Sequence, residues 1–369
     1  MVNILPSASK IRGAAAPFLK IDPTTKETRW RGKLRLSESV EEAHEVKTFR
    51  FNLANGEPIP FEYLPGQFVT VHVAPQGVPT RRSYTIASSP TSRDRIEITV
   101  KREDRGLVSQ WLHDELGIGD EVEIEAPSGT FTFSGKEAES VVLIGGGVGI
   151  TPLMSVLRYL TATNWTGKIY LILSFRSPRD FIFREELAEL QALHANLCVT
   201  VTMSDPGDQP WSGRVGRIDA DLLASTVPDL TTQRVHVCGP APMMETVTGA
   251  LASLGVPQDQ IKKEAFGTVK RDPTVKQVRS TEIAGKATFL ASGVTAPVPV
   301  DATILDAADT AGVSIDNACR SGTCASCRVK LVSGQVTMDI QDGLTDQDKA
   351  EGYILACQAK VQGDVEVDI

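Results

Sequence analysis

Asn317-Ala-Cys-Arg-Ser-Gly-Thr-Cys-Ala-Ser-Cys-Arg328 places Cys319, Cys324 and Cys327 in the spacing C-x4-C-x2-C, and Cys357 follows downstream. Four thiolates at this spacing hold a [2Fe-2S] cluster. Three ligands on one tight loop must wrap one side of a small, sulfur-rich, negatively charged group. Gly322 and the small residues Ser321, Thr323, Ala325 and Ser326 let backbone N–H groups approach the sulfurs. The competing readings fit less well. Disulfide scaffolds are short and cysteine-dense, whereas six cysteines here are spread over 369 residues. Zinc sites more often show two separated C-x2-C pairs.

Residues 302–336 and 344–361 resemble a plant-type ferredoxin domain, and Cys319, Cys324, Cys327 and Cys357 fall where that family places its ligands. A β-grasp fold is implied for this part of the chain. From residue 286 to the end there are 12 Asp and Glu against 6 Lys and Arg, a net of −6 within a chain of net −8. That balance argues against a nucleic-acid partner. An acidic face of this kind can steer docking onto a basic partner protein or simply keep the surface soluble.

A chain of this length is expected to form two or three domains. No run of about 18 apolar residues is present, so no membrane insertion is expected. The first 20 residues are too short in apolar content and too interrupted by proline for a signal peptide, which points to the cytoplasm. Residues 1–29 read as an irregular N-terminal extension to which the sequence assigns no role.

Residues 30–136 are dominated by short β-prone runs at 33–38, 46–53, 68–73, 82–86 and 95–101, with one short helix at 108–115. This suggests a small antiparallel barrel. Residues 137–267 change texture. The apolar run 141–144 reads as a buried parallel strand, and strands at 168–175, 197–203 and 234–238 alternate with helices from 150, 183 and 242. Cys198, among apolar neighbours, is expected in the core. Residues 268–281 read as a linker, and residues 282–369 hold the cluster-binding domain.

On one strand, Arg82-Ser83-Tyr84-Thr85 directs Arg82 and Tyr84 to one face. A guanidinium can fork onto a phosphate and an aromatic ring can lie against an isoalloxazine. Alone, the motif also fits an ordinary half-buried strand. Val100 and Lys101 are followed by Gly106-Leu-Val108-Ser109 at a helix start, where N–H groups can meet a pyrophosphate. Gly145-Gly146-Gly147-Val-Gly149 precedes Ile-Thr151-Pro, and Cys238-Gly239-Pro240 comes later.

In this order the motifs of residues 30–267 resemble the ferredoxin–NADP⁺ reductase-like superfamily. The resemblance implies that Arg82, Ser83, Tyr84 and Thr85 contact the flavin. The backbone of Val100 and Lys101, with Gly106, Val108 and Ser109, is implied for its phosphates. Gly146, Gly147, Gly149 and Thr151 are implied beside the nicotinamide half of the dinucleotide, and Cys238, with Gly239 and Pro240, near the site of hydride transfer. Without the Gly-Pro that follows it, Cys238 would read as a small buried residue. Phe266 falls where relatives place an aromatic near the flavin, and packing alone is the other reading. FAD is favoured because the 106–109 turn suits a second phosphate, and FMN stays open. Arg176 and Arg179 can meet a 2′-phosphate unless Asp180 occupies Arg179. NADH is the favoured donor and NADPH stays open.

The implied fold is multidomain α/β plus β, with an antiparallel flavin-binding barrel, a parallel α/β nucleotide-binding domain and a ferredoxin-like tail. The implied activity is an NAD(P)H-dependent electron-transfer reductase serving a terminal oxygenase of Rieske type. Another redox metalloprotein, such as a hybrid-cluster protein, or a stand-alone diaphorase, are the alternatives.

Overall fold

The computed structural model describes residues 30–77, 79–104, 106–266, 282–313, 315, 320, 322, 327–341, 343, 344 and 346–369. Alternation of apolar and polar side chains builds its first sheet. The strands are β1 (Trp30–Ala43), β2 (Val46–Asn52), β3 (Phe68–Val73), β4 (Thr80–Thr85), β5 (Ile96–Lys101) and β6 (Glu121–Ser128), with helix α1 (Leu107–Asp114) between the last two. They run antiparallel in the order β4-β3-β6-β1-β2-β5. A bridge between Ile86 and Ile98 joins the continuation of β4 to β5 and closes the barrel. Leu34, Leu36, Phe49, Phe51, Val69, Val71, Ile96 and Ile98 point inward two residues apart along their strands, and α1 adds Val108 and Leu112. Each such side chain stabilises the barrel by about 1.5–3 kcal/mol through burial.

Two features differ from the sequence expectation. Strand β1 continues past residue 38 because bulges keep it paired with β2 up to a turn at Glu45, whose φ is +59°. Strand β6 was not expected at all. Its Glu121, Glu123 and Glu125 lower β-propensity, yet they alternate with buried Val122, Ile124 and Ala126.

The second sheet is parallel. It contains β7 (Ser140–Gly146), β8 (Lys168–Phe175), β9 (Leu197–Met203), β10 (Arg214–Val215), β11 (Arg234–Gly239) and β12 (Ile261–Ala265), in the order β10-β9-β8-β7-β11-β12. Helices α2 (Ile150–Ala162) and α3 (Arg184–Leu193) cover one face, and α4 (Ala220–Thr226) and α5 (Ala241–Ser253) the other. Val141 and Leu143 face the first pair while Val142 and Ile144 face the second, which is why residues 141–144 are apolar without alternation. Cys198 corrects its expectation, because it is exposed. Val199 and Val201 pack on the α2–α3 side, so Cys198 lies on the opposite face. At Cys198 that face of β9 is open to solvent.

The third domain has β13 (Ile283–Phe289), β14 (Val294–Pro299), α6 (Ile304–Ala311), β15 (Arg328–Ser333), β16 (Val336–Thr337), α7 (Asp346–Ala350), β17 (Tyr353–Leu355), β18 (Lys360–Val361) and β19 (Val365–Asp368). The main sheet, β14-β13-β19-β15-β17, pairs β13 with β19 in parallel and is otherwise antiparallel, as a β-grasp fold requires. Helix α6 begins at a capping box: Asp306 N–H donates to Thr303 Oγ1 (3.3 Å) and Thr303 N–H to Asp306 Oδ2 (3.0 Å). Its buried face, Ile304, Leu305, Ala307 and Ala308, meets Phe289, Val298 and Val367.

The chain leaves the barrel through Phe131 and Phe133, whose ring centroids lie 5.0 and 5.6 Å from that of His236 on β11. His236 is 1% exposed and its Nε2 donates to the Thr132 carbonyl (3.2 Å). Burial pushes its pKa down to about 3, the Thr132 carbonyl opposing and the Lys262 and Arg234 charges adding. Between pH 6.5 and 3 the unfolded chain therefore binds a proton that the native state refuses. The stability this neutral ring contributes is intact above pH 6.5 and is lost as pH falls. Acidification from pH 6.5 to 5 should cost about 1.5 kcal/mol from this group. Urea melts at both pH values should show that loss, and His236→Gln should remove most of it. An unchanged pH dependence in the variant would refute the assignment.

Candidate functional site

Strand β4 presents the first group of expected residues. Arg82 is exposed, and its Nη1 donates to the Arg81 carbonyl (2.7 Å). Tyr84, two residues on, packs against the barrel core, and burial raises its phenol, so it remains a neutral hydroxyl. Ser83 Oγ lies 3.3 Å from Thr70 Oγ1. Thr85 is the informative one. It is 4% exposed and its Oγ1 has no hydrogen-bond partner among the described residues. A buried hydroxyl left in this state costs about 1–3 kcal/mol. A polar ring edge placed beside β4 would satisfy it, so the strand fits a flavin.

The phosphate turn is built more tightly than the sequence suggests. Ser109 Oγ donates to the Gly106 carbonyl (3.0 Å) and accepts from Glu103 N–H (3.1 Å). A methyl group on Gly106 would lie 2.2 Å from that hydroxyl, which is why glycine is needed. The Ser109 hydroxyl thus closes the turn, and the turn by itself does not separate FAD from FMN. No side chain caps α1, and helix geometry leaves the N–H groups of Leu107, Val108 and Ser109 without intrahelical acceptors. Val100 is buried and its carbonyl accepts from His113 Nε2 (2.9 Å); Lys101 is exposed. The side of the loop on Arg105 lies outside the described residues.

The second group gathers at the carboxyl ends of parallel strands, where open α/β sheets bind ligands. Gly145 on β7, Cys238 on β11 and Glu264 on β12 are adjacent in register. The Gly147–Gly149 turn that follows β7 lies against β5 of the barrel and β11. A methyl group on Gly149 would stand 2.3 Å from the Cys238 carbonyl oxygen, and one on Gly146 2.5 Å from Met243 Sδ. Gly147 has φ +53° and open space beside it. These glycines, and α2 starting without a side-chain cap, leave room and N–H groups for a dinucleotide. Thr151 is 2% exposed, and its hydroxyl donates to the Val148 carbonyl (2.9 Å). Cys238 is fully buried, and burial, with the Glu264 charge, pushes its thiol well above the ordinary range, so it stays protonated. Pro240 and Gly239 lead into α5. Phe266, just past β12, is 38% exposed.

Two residues here, Met243 and Asp205, are not marked by the sequence. Met243 covers both Gly146 and Gly239. Asp205, just past β9, pairs with Arg176 (Nη2–Oδ2 3.3 Å), and both are exposed. Asp180 does not occupy Arg179; its carboxylate accepts from Ser177 N–H (3.0 Å) and Oγ (2.6 Å). Met243 and Asp205 carry no local signal, since each acts on a partner that the fold supplies.

In the third domain, Cys327 and Cys357 are both buried, at 2% and 7% exposure. Ala356 N–H donates to the Cys327 carbonyl (3.0 Å), and Arg328 pairs with Leu355, so the two cysteines are held close by adjacent strands. Gly322, φ +83°, would bring a methyl group within 2.9 Å of the Ile340 carbonyl and 2.8 Å of Gln358 Cγ. Gln358 Nε2 in turn donates to the Arg320 carbonyl (3.4 Å), tying the loop to the Cys357 segment. Cys319 and Cys324 lie outside the described residues. Two buried cysteines flanking one strand pair, with Gly322 packed against Gln358, fit the cluster.

Comparison with known proteins bears on the same three regions. Residues 33–133 match the family described as an oxidoreductase FAD-binding domain, residues 143–249 an oxidoreductase NAD-binding domain, and residues 288–362 a 2Fe-2S iron-sulfur cluster binding domain. The glycine betaine monooxygenase reductase subunit of Pseudomonas aeruginosa is 35% identical over 94% of this chain and 98% of that protein. NADH oxidoreductase HCR of Escherichia coli is 34% identical over 83% of this chain and 88% of that protein. The solved structure of phthalate dioxygenase reductase, described as modular for electron transfer from pyridine nucleotides to [2Fe-2S], superposes with a TM-score of 0.59 at 25% identity. It covers 92% of this chain and 98% of that one. No described helix is long and apolar enough to cross a membrane. By this full-length similarity the chain belongs to the ferredoxin–NADP⁺ reductase-like flavoprotein reductases fused to a C-terminal plant-type [2Fe-2S] domain, the oxygenase-reductase-component type, and is an NAD(P)H-dependent oxidoreductase of FAD, NADH and a [2Fe-2S] cluster.

Proposed function

We propose that the chain is the reductase component of a multicomponent system, carrying electrons from NADH through FAD and the [2Fe-2S] cluster to a terminal oxygenase of Rieske type. The observation that carries this is the 35% identity, spanning nearly both whole chains, with a glycine betaine monooxygenase reductase subunit. Bound in their sites, FAD would supply hydride acceptance from NADH and the cluster one-electron transfer. The protein's own residues bind and orient. Arg82 meets a flavin phosphate, Tyr84 and Phe266 cover the ring, and Ser83 and Thr85 give it hydroxyl partners. Val100, Lys101 and Gly106, with the N–H groups at Val108 and Ser109, hold the remaining phosphates. Gly146, Gly147, Gly149 and Thr151 admit the nicotinamide half beside the neutral Cys238 thiol, with Gly239 and Pro240 shaping the opposite wall. Cys319, Cys324, Cys327 and Cys357 ligate the cluster. The working units are residues 30–136, 137–267 and 282–369, joined by a linker at 268–281, in a cytoplasmic protein.

Anaerobic titration with NADH tests this reading. Flavin and iron–sulfur bands should both bleach, with about three electrons taken up per chain. Bleaching of the flavin alone, with the cluster present, would overturn it. A reductase of another metalloprotein is the second reading, favoured by the likeness to NADH oxidoreductase HCR. Reduction of the candidate oxygenase against other metalloproteins separates the two.

Arg176 meets a 2′-phosphate less readily than the sequence suggests, because Asp205 already faces it. The Asp205 carboxylate would repel that phosphate and can accept from a ribose hydroxyl instead. Asp205→Ser should raise kcat/KM for NADPH about five- to tenfold and lower that for NADH, a change of about 1–1.4 kcal/mol each way. Steady-state kinetics with both donors checks this, and an unmoved ratio would rule out Asp205 as the discriminating group.

A further inference from the structure

Two side chains of α2 reach out of their own domain. Ser155 Oγ donates to the Ser88 carbonyl (3.0 Å). Arg158 Nη1 donates to the Ala87 carbonyl (2.8 Å) and to Glu97 Oε2 (3.0 Å). The rest of the guanidinium forks onto Glu186 of α3, with Nε–Oε1 2.7 Å and Nη2–Oε2 2.6 Å, and lies over the Phe183 ring at 4.8 Å. On the barrel side the anchor is equally fixed. Glu97 Oε1 accepts from Arg50 Nε (2.9 Å), and Arg50 also reaches Glu38 (2.8 Å). Ser88 Oγ accepts from Glu97 N–H (3.1 Å) and lies 3.0 Å from Tyr63 Oη.

A seam that needed only adhesion would be made of apolar side chains. Placing Arg158 and Glu97 here, at 15% and 8% side-chain exposure, carries a desolvation cost that an apolar pair would not. Such a cluster contributes direction: a guanidinium fork accepts carboxylates in one plane and at one spacing. The positions it joins are telling. Ala87 and Ser88 follow Thr85 on the flavin strand's continuation. Ser155 and Arg158 lie one and two turns beyond Thr151 on the same face of α2. The brace therefore links the chain just past one cofactor segment to the helix just past the other.

We propose that Ser155 and Arg158 are positioning residues for hydride transfer, setting the separation between the flavin strand and the glycine-loop end of α2. The inference rests on the function proposed above in placing flavin on β4 and nicotinamide at Gly146–Thr151.

The test uses full-length protein carrying FAD and cluster, with anaerobic stopped-flow mixing against NADH. The observed rate, extrapolated to saturating NADH, gives the hydride-transfer step, and its concentration dependence gives the Kd. Arg158→Met should slow transfer per bound FAD by about 10- to 100-fold, as expected for reactants displaced by a fraction of an ångström, with Kd within about threefold. Arg158→Lys keeps the charge without the fork and should recover little of the rate. Ser155→Ala removes one hydrogen bond and should slow transfer by about three- to tenfold. It decides the matter if the arginine variants fail to fold. Unchanged rates per bound FAD in the folded variants would overturn the proposal. So would a loss that merely tracks FAD content or appears entirely in Kd. Wild-type flavin that NADH fails to bleach would instead sink the function on which the inference rests.

Discussion

Replacing Cys357 by serine is expected to abolish electron delivery to a protein acceptor while leaving NADH-driven reduction of a small dye within about twofold of wild type. Cys357 follows β17, whereas the cysteine loop leads into β15, the strand that β17 pairs with. It is set beside Cys327 by the Ala356 N–H to Cys327 carbonyl bond and by β15–β17 pairing. Serine keeps the volume and that backbone framework, but it offers a hard, strongly basic oxygen where the cluster needs a thiolate. The iron–sulfur absorbance should disappear or shift, and the flavin spectrum should not. Because the cysteine lies in the third domain's own core, FAD content and the first two domains should be unaffected. Persistence of cluster bands together with full delivery would remove Cys357 from the ligand set. Loss of dye reduction with FAD retained would mean that electrons do not leave the flavin independently of the tail.

Gly149→Ala should slow hydride transfer by about 100-fold, with FAD and cluster both retained. The reason is space alone. Gly149 has φ −63°, a conformation any residue adopts, yet the added methyl would lie 2.3 Å from the Cys238 carbonyl oxygen, and 2.6 Å from both Cys238 C and Gly239 Cα. All three are backbone atoms, so relief requires moving the end of β11 or the start of α2, and both belong to the nucleotide site. Overpacking of this kind also costs about 1–3 kcal/mol of stability. Gly146→Ala is the internal comparison. Its nearest obstacle is Met243 Sδ, the end of a flexible side chain that can swing aside. Gly146→Ala should therefore be at least about tenfold faster than Gly149→Ala in stopped-flow reduction. Equal rates would show that the loop moves as a whole and that close approach at Gly149 is not the constraint.

How much of this was legible in the sequence follows from whether the information is local. The cysteine spacing, the Arg82–Thr85 strand, the glycine run and the unbroken apolar stretch of β7 each lie within a dozen residues, and taken in order they point to the correct fold class. The barrel's strand β6 was hidden because its solvent side is glutamate. Strand β1 ran on because bulges and a partner strand, not its own propensity, sustain it. The site was harder. Met243, Asp205, Ser155 and Arg158 act on groups between 28 and 97 residues away, or on another element entirely, and nothing in their neighbours marks them. Ser109 is expected beside the flavin's phosphates, and what the sequence does not show is that its hydroxyl closes the turn there. Cys198 was misjudged because apolar neighbours in a strand do not reveal whether that strand has cover on both faces.

The exposed Cys198 has a practical use. Cys238, Cys327 and Cys357 are all buried, so among the described cysteines it is the one that a bulky maleimide reaches in a short exposure. A fluorophore tethered there would sit on the outer part of the nucleotide domain's sheet, away from the closely packed ends of β7 and β11. Paired with a second dye on a candidate acceptor, it would turn docking into a distance measured by energy transfer in the intact protein.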